Sequence, residues 1–510
     1  MPIKFNYFIL FLIITLSQTI NAQNLEDLKR YVNESYIGTA RYNSMGGAFG
    51  ALGGDFSSIN NNPASAAVFN YSQIGLSLDY ENEENFSNYK NSIINESLSD
   101  FNINQFGMIF VLKKENSSNN WSRLNFAFNY QLNNTFKDEI VVYSNNNNKG
   151  IDDYFLYFAE GLETKNIQLN DNESISDLYR FLGNSSNLGY GAQQAFLGYQ
   201  AYVINPLYDN ENNTNYFSNA IYTNGLNQEY YITSNGENKK NTYNISGVYM
   251  NNIFIGLNIN SYKLRYSEKK DFYENNYDSS SSIQNIQFKN ELTTYGKGTS
   301  IQIGLITKLK NNLRIGFNYH SPIWYRFFEE STQFIISSHY IGDDFFENTI
   351  DPNTINVYPK YRLVIPSKIS GSLAYVFEKK ALLSFEYIST DISSAYFEDD
   401  QVASFTELNN EIRSDLKSKN IIKIGGEYKL QGFNLRAGYI NDSSYNSTYD
   451  TSMDIISLGL GIDFGYSLLD LSIQKTHLKD SRRLFNSGFN DLYDLKRDII
   501  NITATYIIKL

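Results

Sequence analysis

The chain is expected to be all-β: a fourteen-stranded antiparallel transmembrane β-barrel with an N-terminal hatch and helical surface-loop segments. Three observations predict this. From residue 71 to Leu510, alternating segments are separated by a very short turn and then a long polar loop, repeatedly. After the N-terminus no apolar run reaches about 18 residues, and mean hydropathy is −0.40, which excludes a bundle of membrane helices. The 42 Tyr and 35 Phe suit the aromatic girdles of a barrel whose strands are apolar on one face.

The N-terminus comes first. Lys4 precedes an apolar run from Tyr7 to Leu16, and small or polar residues follow to Ala22, so residues 1–22 are expected to be a signal peptide cleaved after Ala22. A short membrane anchor is the alternative. No cysteine is present for lipid attachment or a disulfide. A formal charge of −12 argues against nucleic acid as a partner. The expected location is the outer membrane of a Gram-negative bacterium, with membrane lipid and, during biogenesis, the barrel-assembly machinery as partners.

Period-2 alternation places strands near 72–80, 104–114, 122–134, 240–250, 253–266, 297–309, 313–322, 362–377, 381–390, 420–430, 433–441, 455–465, 468–477 and 499–509. The short connections fall at 115–121, 251–252, 310–312, 378–380, 431–432 and 466–467. The long ones fall at 81–103, 135–239, 267–296, 323–361, 391–419, 442–454 and 478–498. Such sorting onto two ends is what a barrel with both termini in the periplasm requires. Alternation also assigns faces. Leu313, Ile315, Phe317 and Tyr319 should meet lipid, with Arg314, Gly316, Asn318 and His320 inward. Phe433, Leu435, Ala437 and Tyr439 should point out, and Asn434, Arg436 and Gly438 in. In the last strand Ile502, Ala504, Tyr506, Ile508 and Leu510 form the outer face. Fourteen strands enclose more space than their own side chains fill, and residues 23–70 are the expected hatch, ahead of a barrel over 71–510.

The hatch contains a Gly- and Ala-rich stretch from Gly38 to Asp55, followed by Asn62-Pro63-Ala64. A flexible linker is the bland reading of this stretch. A phosphate-cradling loop is opposed by the lack of a following Gly-Lys-Ser/Thr. Gly46, Gly47, Ala48, Asp55, Asn62, Pro63 and Ala64 together resemble the N-terminal motif of FadL-type outer-membrane transporters of long-chain fatty acids and other hydrophobic compounds. The resemblance extends over Gly298 to Gly304, Leu313 to Gly316, His320-Ser321-Pro322 and Leu435 to Tyr439. It implies a hatch-closed barrel of fourteen strands. It also implies passive diffusion of an apolar ligand from a surface site, through the lumen, to an exit in the wall.

The long extracellular loop 135–239 carries two aromatic segments, Tyr154 to Leu162 and Gln193 to Ile204. As helices they would align Phe155, Phe158 and Leu162 on one face, and Phe196, Tyr199 and Val203 on another. These residues could form a greasy groove that captures ligand, or simply pack together as a cap. A fatty-acid carboxylate would need an inward cation, and Arg123, Arg314, Lys423 and Arg436 are the candidates. The inward acids Asp79, Glu386, Glu427 and Asp463 could instead pair with them. The third strand has no Gly or Pro to mark a kink, and Pro366 in the eighth is the alternative site for an opening. His320, His339 and His477 are widely separated and lack metal-ligand spacing, no Gly-x-Ser-x-Gly elbow occurs, and no enzyme, cofactor or metal is expected. The expected function is passive transport of hydrophobic small molecules, fatty acids or related lipids, by a monomer with lateral release. A secretion accessory that binds exported proteins is the alternative, and a water-filled porin is opposed by the hatch.

Overall fold

The computed structural model describes residues 23–33, 35–113, 120–310, 312–378, 380–399 and 405–510. The expected signal peptide and residues 114–119, which take in most of the expected short connection 115–121, lie outside them. Fourteen strands pair antiparallel in sequence order and close on themselves: β1 (Gln73–Tyr89), β2 (Ser92–Lys113), β3 (Trp121–Thr135), β4 (Leu226–Tyr249), β5 (Ile253–Asn275), β6 (Ile283–Lys308), β7 (Leu313–His320), β8 (Lys368–Phe377), β9 (Ala381–Asp391), β10 (Ser418–Leu430), β11 (Phe433–Asp442), β12 (Met453–Asp463), β13 (Ser467–Arg483) and β14 (Leu492–Lys509). The closing seam pairs β1 with β14 from Gln73↔Lys509 to Asn88↔Asp494. Closure leaves no strand edge unpaired in lipid, which is why an alternating chain of modest hydropathy can cross a bilayer.

The face assignments follow the alternation. Phe317, Leu435, Ile502 and Tyr506 are exposed on the outer wall, whereas Asn318, His320 and Arg436 are buried inside. Asp463 keeps the inward parity but sits at the periplasmic rim, paired with Lys509.

Several expected loops are strand. β1 and β2 run through residues 81–103 and meet at Lys90-Asn91, whose φ values of 49° and 69° make the tight turn that matches strand twist. Likewise β5 and β6 leave only 276–282 between them. β7 continues beyond a break as Ile323–Ile341, β8 is preceded by Tyr361–Ile365, and β9 is continued by Tyr396–Asp399. Beyond Tyr80 both faces of β1 are mainly polar, and in Ile323–Ile341 and Tyr361–Ile365 the inward face is mainly apolar, so the inward-polar alternation that marks the lower strands disappears in these extensions.

The loop between β3 and β4 folds into a cap. Its helices are Asp152–Ala159, Ile175–Asn184 and Gly189–Gln200. The middle one was not anticipated; Ser174 caps its first turn by accepting from the Asp177 amide, and Leu178, Tyr179 and Leu182 bury its inner face. A further helix, Thr406–Asp415, lies in the expected loop 391–419.

Candidate functional site

The lower lumen is filled by residues 38–69. Gly46 and Gly47, at φ 58° and 61°, turn the chain sharply after Ala40–Ser44. Asp55 then ties the fold of this segment: its carboxylate accepts from Thr39 Oγ1 at 2.7 Å and from the Ser57 amide at 2.8 Å. Asn62 caps the short 3-10 turn that begins at Pro63, accepting from the Ala64 amide at 3.0 Å. Its side-chain amide faces the carbonyl oxygens of Gly50 at 2.7 Å and of Leu305 and Phe317 at 3.3 Å. Gly46, Gly47, Ala48, Asp55, Asn62, Pro63 and Ala64 therefore all lie buried inside the barrel.

The wall is shaped to receive this plug. A Cβ on Gly438 would lie 2.1 Å from the Gly46 nitrogen, and one on Gly316 would lie 2.2 Å from the Gly50 oxygen. Gly256 meets Pro63 and Gly425 meets Met45 in the same way. Between these glycines, inward amides satisfy the plug's carbonyls: Asn244 donates to Pro63, Asn258 to Ile59, Gln302 to Asn60 and Gln131 to Ile37, at 2.8–3.0 Å. Buried backbone carbonyls of an irregular segment need such partners. Inward Gly and Asn/Gln at alternate strand positions were the sequence signal for this surface, and they were not read as such.

The four candidate cations are engaged here. Arg436 pairs with Glu427 at 2.7 Å and Asp470 at 2.6 Å, and Arg41 of the plug joins Glu427 at 3.1 Å. Lys423 reaches the Tyr42 hydroxyl at 3.3 Å. Arg314 donates to the Leu52 carbonyl at 2.8 Å, and Arg123 donates to the side chain of Asn70. Of the inward acids, Glu386 accepts from Asn61 at 2.7 Å and from the Gly50 amide at 3.2 Å. None of the four cations lines the cavity above the plug.

That cavity measures about 910 Å³. Helix Leu25–Val32 crosses it, its Leu28 and Tyr31 packed on the wall and Tyr31 stacked on Phe327 at 4.6 Å. Tyr154, Tyr157, Phe158, Tyr190, Tyr230 and Phe485 form its roof. Of the six apolar candidates in the loop, Phe158 reaches the cavity. Phe155, Phe196 and Val203 are fully buried within the cap, where Leu162 and Tyr199 pack against them. Phe485, in the expected loop 478–498, was missed: one aromatic side chain there offers no periodicity.

Two carboxyls are sealed in the cap, above the membrane. Glu274 accepts from Gln228 Nε2 at 2.6 Å and from the Ile151 amide at 3.2 Å, and also from the Tyr277 hydroxyl. Burial pushes it up to about 8, and the nearby Asp152 carboxylate adds to the shift. Burial likewise raises Asp152 to about 6.

One seam of the wall is loosened. His320↔Lys368 and Ile323↔Ile365 are in register, and between these pairs Ser321-Pro322 stands opposite Pro366-Ser367. Neither proline has an N–H, and among the described residues no backbone hydrogen bond joins 321–322 to 366–367. The β6 side stays stitched: the Ser321 amide donates to Ile301 O, and the Ile301 amide donates to Ser321 Oγ, both at 2.9 Å. β9 is interrupted by the 3-10 turn Ile392–Ser394 next to the same seam. Behind the seam lies an apolar cluster that includes Ile323, Leu363, Ile365, Ile392 and Phe397 together with Leu28 and Tyr31. β3, by contrast, departs from register above Leu132 by a single residue.

Comparison of folds identifies this arrangement. A crystal structure of a Pseudomonas aeruginosa FadL homologue superposes with a TM-score of 0.54 at 12% identity, covering 93% of this chain and 99% of that one. The barrel has the FadL-type fold. The Pseudomonas putida toluene transporter TodX superposes with a TM-score of 0.49 at 11% identity, over 94% of this chain and all of that one. No family model and no curated protein sequence matches the chain. At such identity the comparison shows the fold alone.

Proposed function

We propose that this outer-membrane barrel carries hydrophobic small molecules inward by passive diffusion, through the cavity and out sideways into lipid. The observation that supports this most is the juxtaposition of a closed floor with a loosened wall. The plug fills the lower lumen in close contact with the wall, whereas the seam at Pro322 and Pro366 backs directly onto an apolar cluster. A molecule gains about 0.8 kcal/mol for each CH₂ it withdraws from water, so an exit into lipid suits an apolar cargo. Long-chain fatty acids or related lipids are the cargo that the resemblance suggests. Residues 23–70 act as the hatch, and Tyr154, Tyr157 and Phe158 receive the ligand beneath the cap.

The test is uptake of a labelled hydrophobic compound by a Gram-negative host lacking its own transporter, with the protein confirmed in the outer membrane. Intact protein should restore uptake. A double Pro322→Val, Pro366→Val variant regains both backbone donors, can zip the seam, and should lower uptake at least five-fold with folding unchanged. Full uptake by this variant removes the lateral route; no uptake by the intact, folded chain removes the transport reading.

A further inference from the structure

The chemistry of the cavity wall narrows the cargo's head group. The lining includes twelve carboxylates against seven basic side chains. Every one of those cations already holds a carboxylate, as Arg30 holds Asp27 at 2.9 Å, Lys270 holds Glu268 at 2.7 Å and Arg483 holds Glu411 at 3.1 Å. No cation is left for an incoming anion. On β1 the inward column reads Asp79, Glu81, Glu83 at alternate positions. Glu83 is paired with Arg497 at 3.2 Å. Asp79 and Glu81 have no ion-pair partner among the described residues; one amide nitrogen, Asn501 Nδ2, donates to both, at 2.8 and 2.9 Å, and the Thr503 hydroxyl donates to Asp79 at 2.5 Å.

A second feature points into the same place. A register shift in the β1–β2 ladder leaves Asn104 as an extra residue between Ile103 and Gln105, the partners of Leu78 and Ser77. Asn104 is 2% exposed and lines the cavity; its Nδ2 donates to Gly38 O at 2.7 Å, but its Oδ1 has no partner. A buried acceptor left unmatched is uncommon in a folded protein. Two carboxylates without a counter-charge and one acceptor without a donor thus line one cavity, and Tyr36, Ile37, Met453 and Ile455 provide apolar surface in it.

We propose that Asp79, Glu81 and Asn104 form a subsite for the protonated amine of an amphipathic ligand whose hydrocarbon body lies on Tyr36, Met453 and Ile455. An ammonium carries three donors and a positive charge, so it matches the three acceptors and offsets both carboxylates. A carboxylate head of the same chain length meets like charge and no donor. The inference rests on the transport reading and specifies its ligand.

The test is equilibrium binding of decylamine, decanoate and decanol to the purified full-length protein in nanodiscs at pH 7. Decylamine should bind at least ten-fold tighter than decanoate. The double variant Asp79→Asn, Glu81→Gln should bring these two within three-fold of each other and leave decanol unchanged. Asn104→Leu, which keeps both charges and removes the free acceptor, should weaken decylamine several-fold. Retention of the heat-modifiable folded band on gels confirms that each variant is folded. Decanoate binding as tightly as decylamine, or an amine preference that survives the double variant, overturns the subsite and leaves transport standing. Binding of none of the three overturns both.

Discussion

The lower and upper halves of the lumen solve the same problem in opposite ways. Below, a wide barrel is filled by its own chain: glycines let plug backbone touch wall backbone, and Asn and Gln side chains answer each carbonyl. Above, the space is left open, lined by ion pairs and tyrosines and roofed by a helical cap. The first region is packed to the limit of atomic contact and tolerates no added volume. The second keeps about 910 Å³ empty and tolerates change. The transport proposed above needs both, because a closed floor prevents leakage while an open chamber admits cargo.

The sharpest way to break this contrast is to add one side chain to the floor. Gly438→Leu places a Cβ 2.1 Å from the Gly46 nitrogen, and neither backbone can retreat. Overpacking of this kind costs roughly 1–3 kcal/mol or more where the neighbours are fixed. The plug should leave its seat, seen as a large rise in single-channel conductance in planar bilayers. An equal enlargement above, such as Thr476→Phe on the cavity wall, should leave conductance unchanged. If both variants behave alike, the two halves are not packed differently.

Asn62→Ala is gentler. It removes the cap of the 3-10 turn and leaves buried carbonyls without a donor, a loss of about 1–3 kcal/mol. Expected is a lower unfolding temperature in detergent and intermittent rather than continuous conductance. Asn61→Ala, at a less enclosed neighbour that donates to Glu386, should do less on both measures.

How much of this was legible depends on where the apolar contrast lay. Phe317, Leu435 and Ile502 face lipid while Asn318, Arg436 and Thr503 face the lumen, so strand number and facing followed from period two alone. The contrast ends at Tyr80. Beyond it Glu81, Glu83 and Asn85 point inward, and Asn82 and Glu84 point outward, so a strand there reads like a polar loop. Proline gave half of the seam: Pro366 was marked, but its pairing with Pro322 needs the register of two strands. The cations posed a different difficulty. Arg436 and Lys423 were placed inward as candidates for a ligand or for the inward acids, yet Arg41 and Tyr42 of the plug share their sites from nearly four hundred residues earlier. No local pattern announces such partners, since they come together only when the barrel closes around its own N-terminus.

The smallest expected effect belongs to the cap. Burial holds the Glu274 carboxyl up to about 8, with Asp152 raised to about 6, so the folded cap binds protons that the unfolded loop releases near the ordinary carboxylate range. The sign follows from proton counting. Between about pH 4.5 and 8 the folded state holds more protons, so stability is fully present at the acid end and declines as pH rises, by up to about 1.4 kcal/mol per pH unit for one proton. Protease cleavage within 148–225 should therefore be slowest near pH 5 and accelerate toward pH 8, while the plug-filled lower barrel stays resistant throughout. Glu274→Gln keeps the size and the hydrogen-bond acceptor but cannot ionise, so cleavage of this variant should lose most of its pH dependence. An unchanged pH profile in Glu274→Gln would place the sensitivity elsewhere in the cap. A lower barrel that loosens in step with the loop would show that the two halves open as one unit rather than as a rigid floor beneath a separately titrating roof.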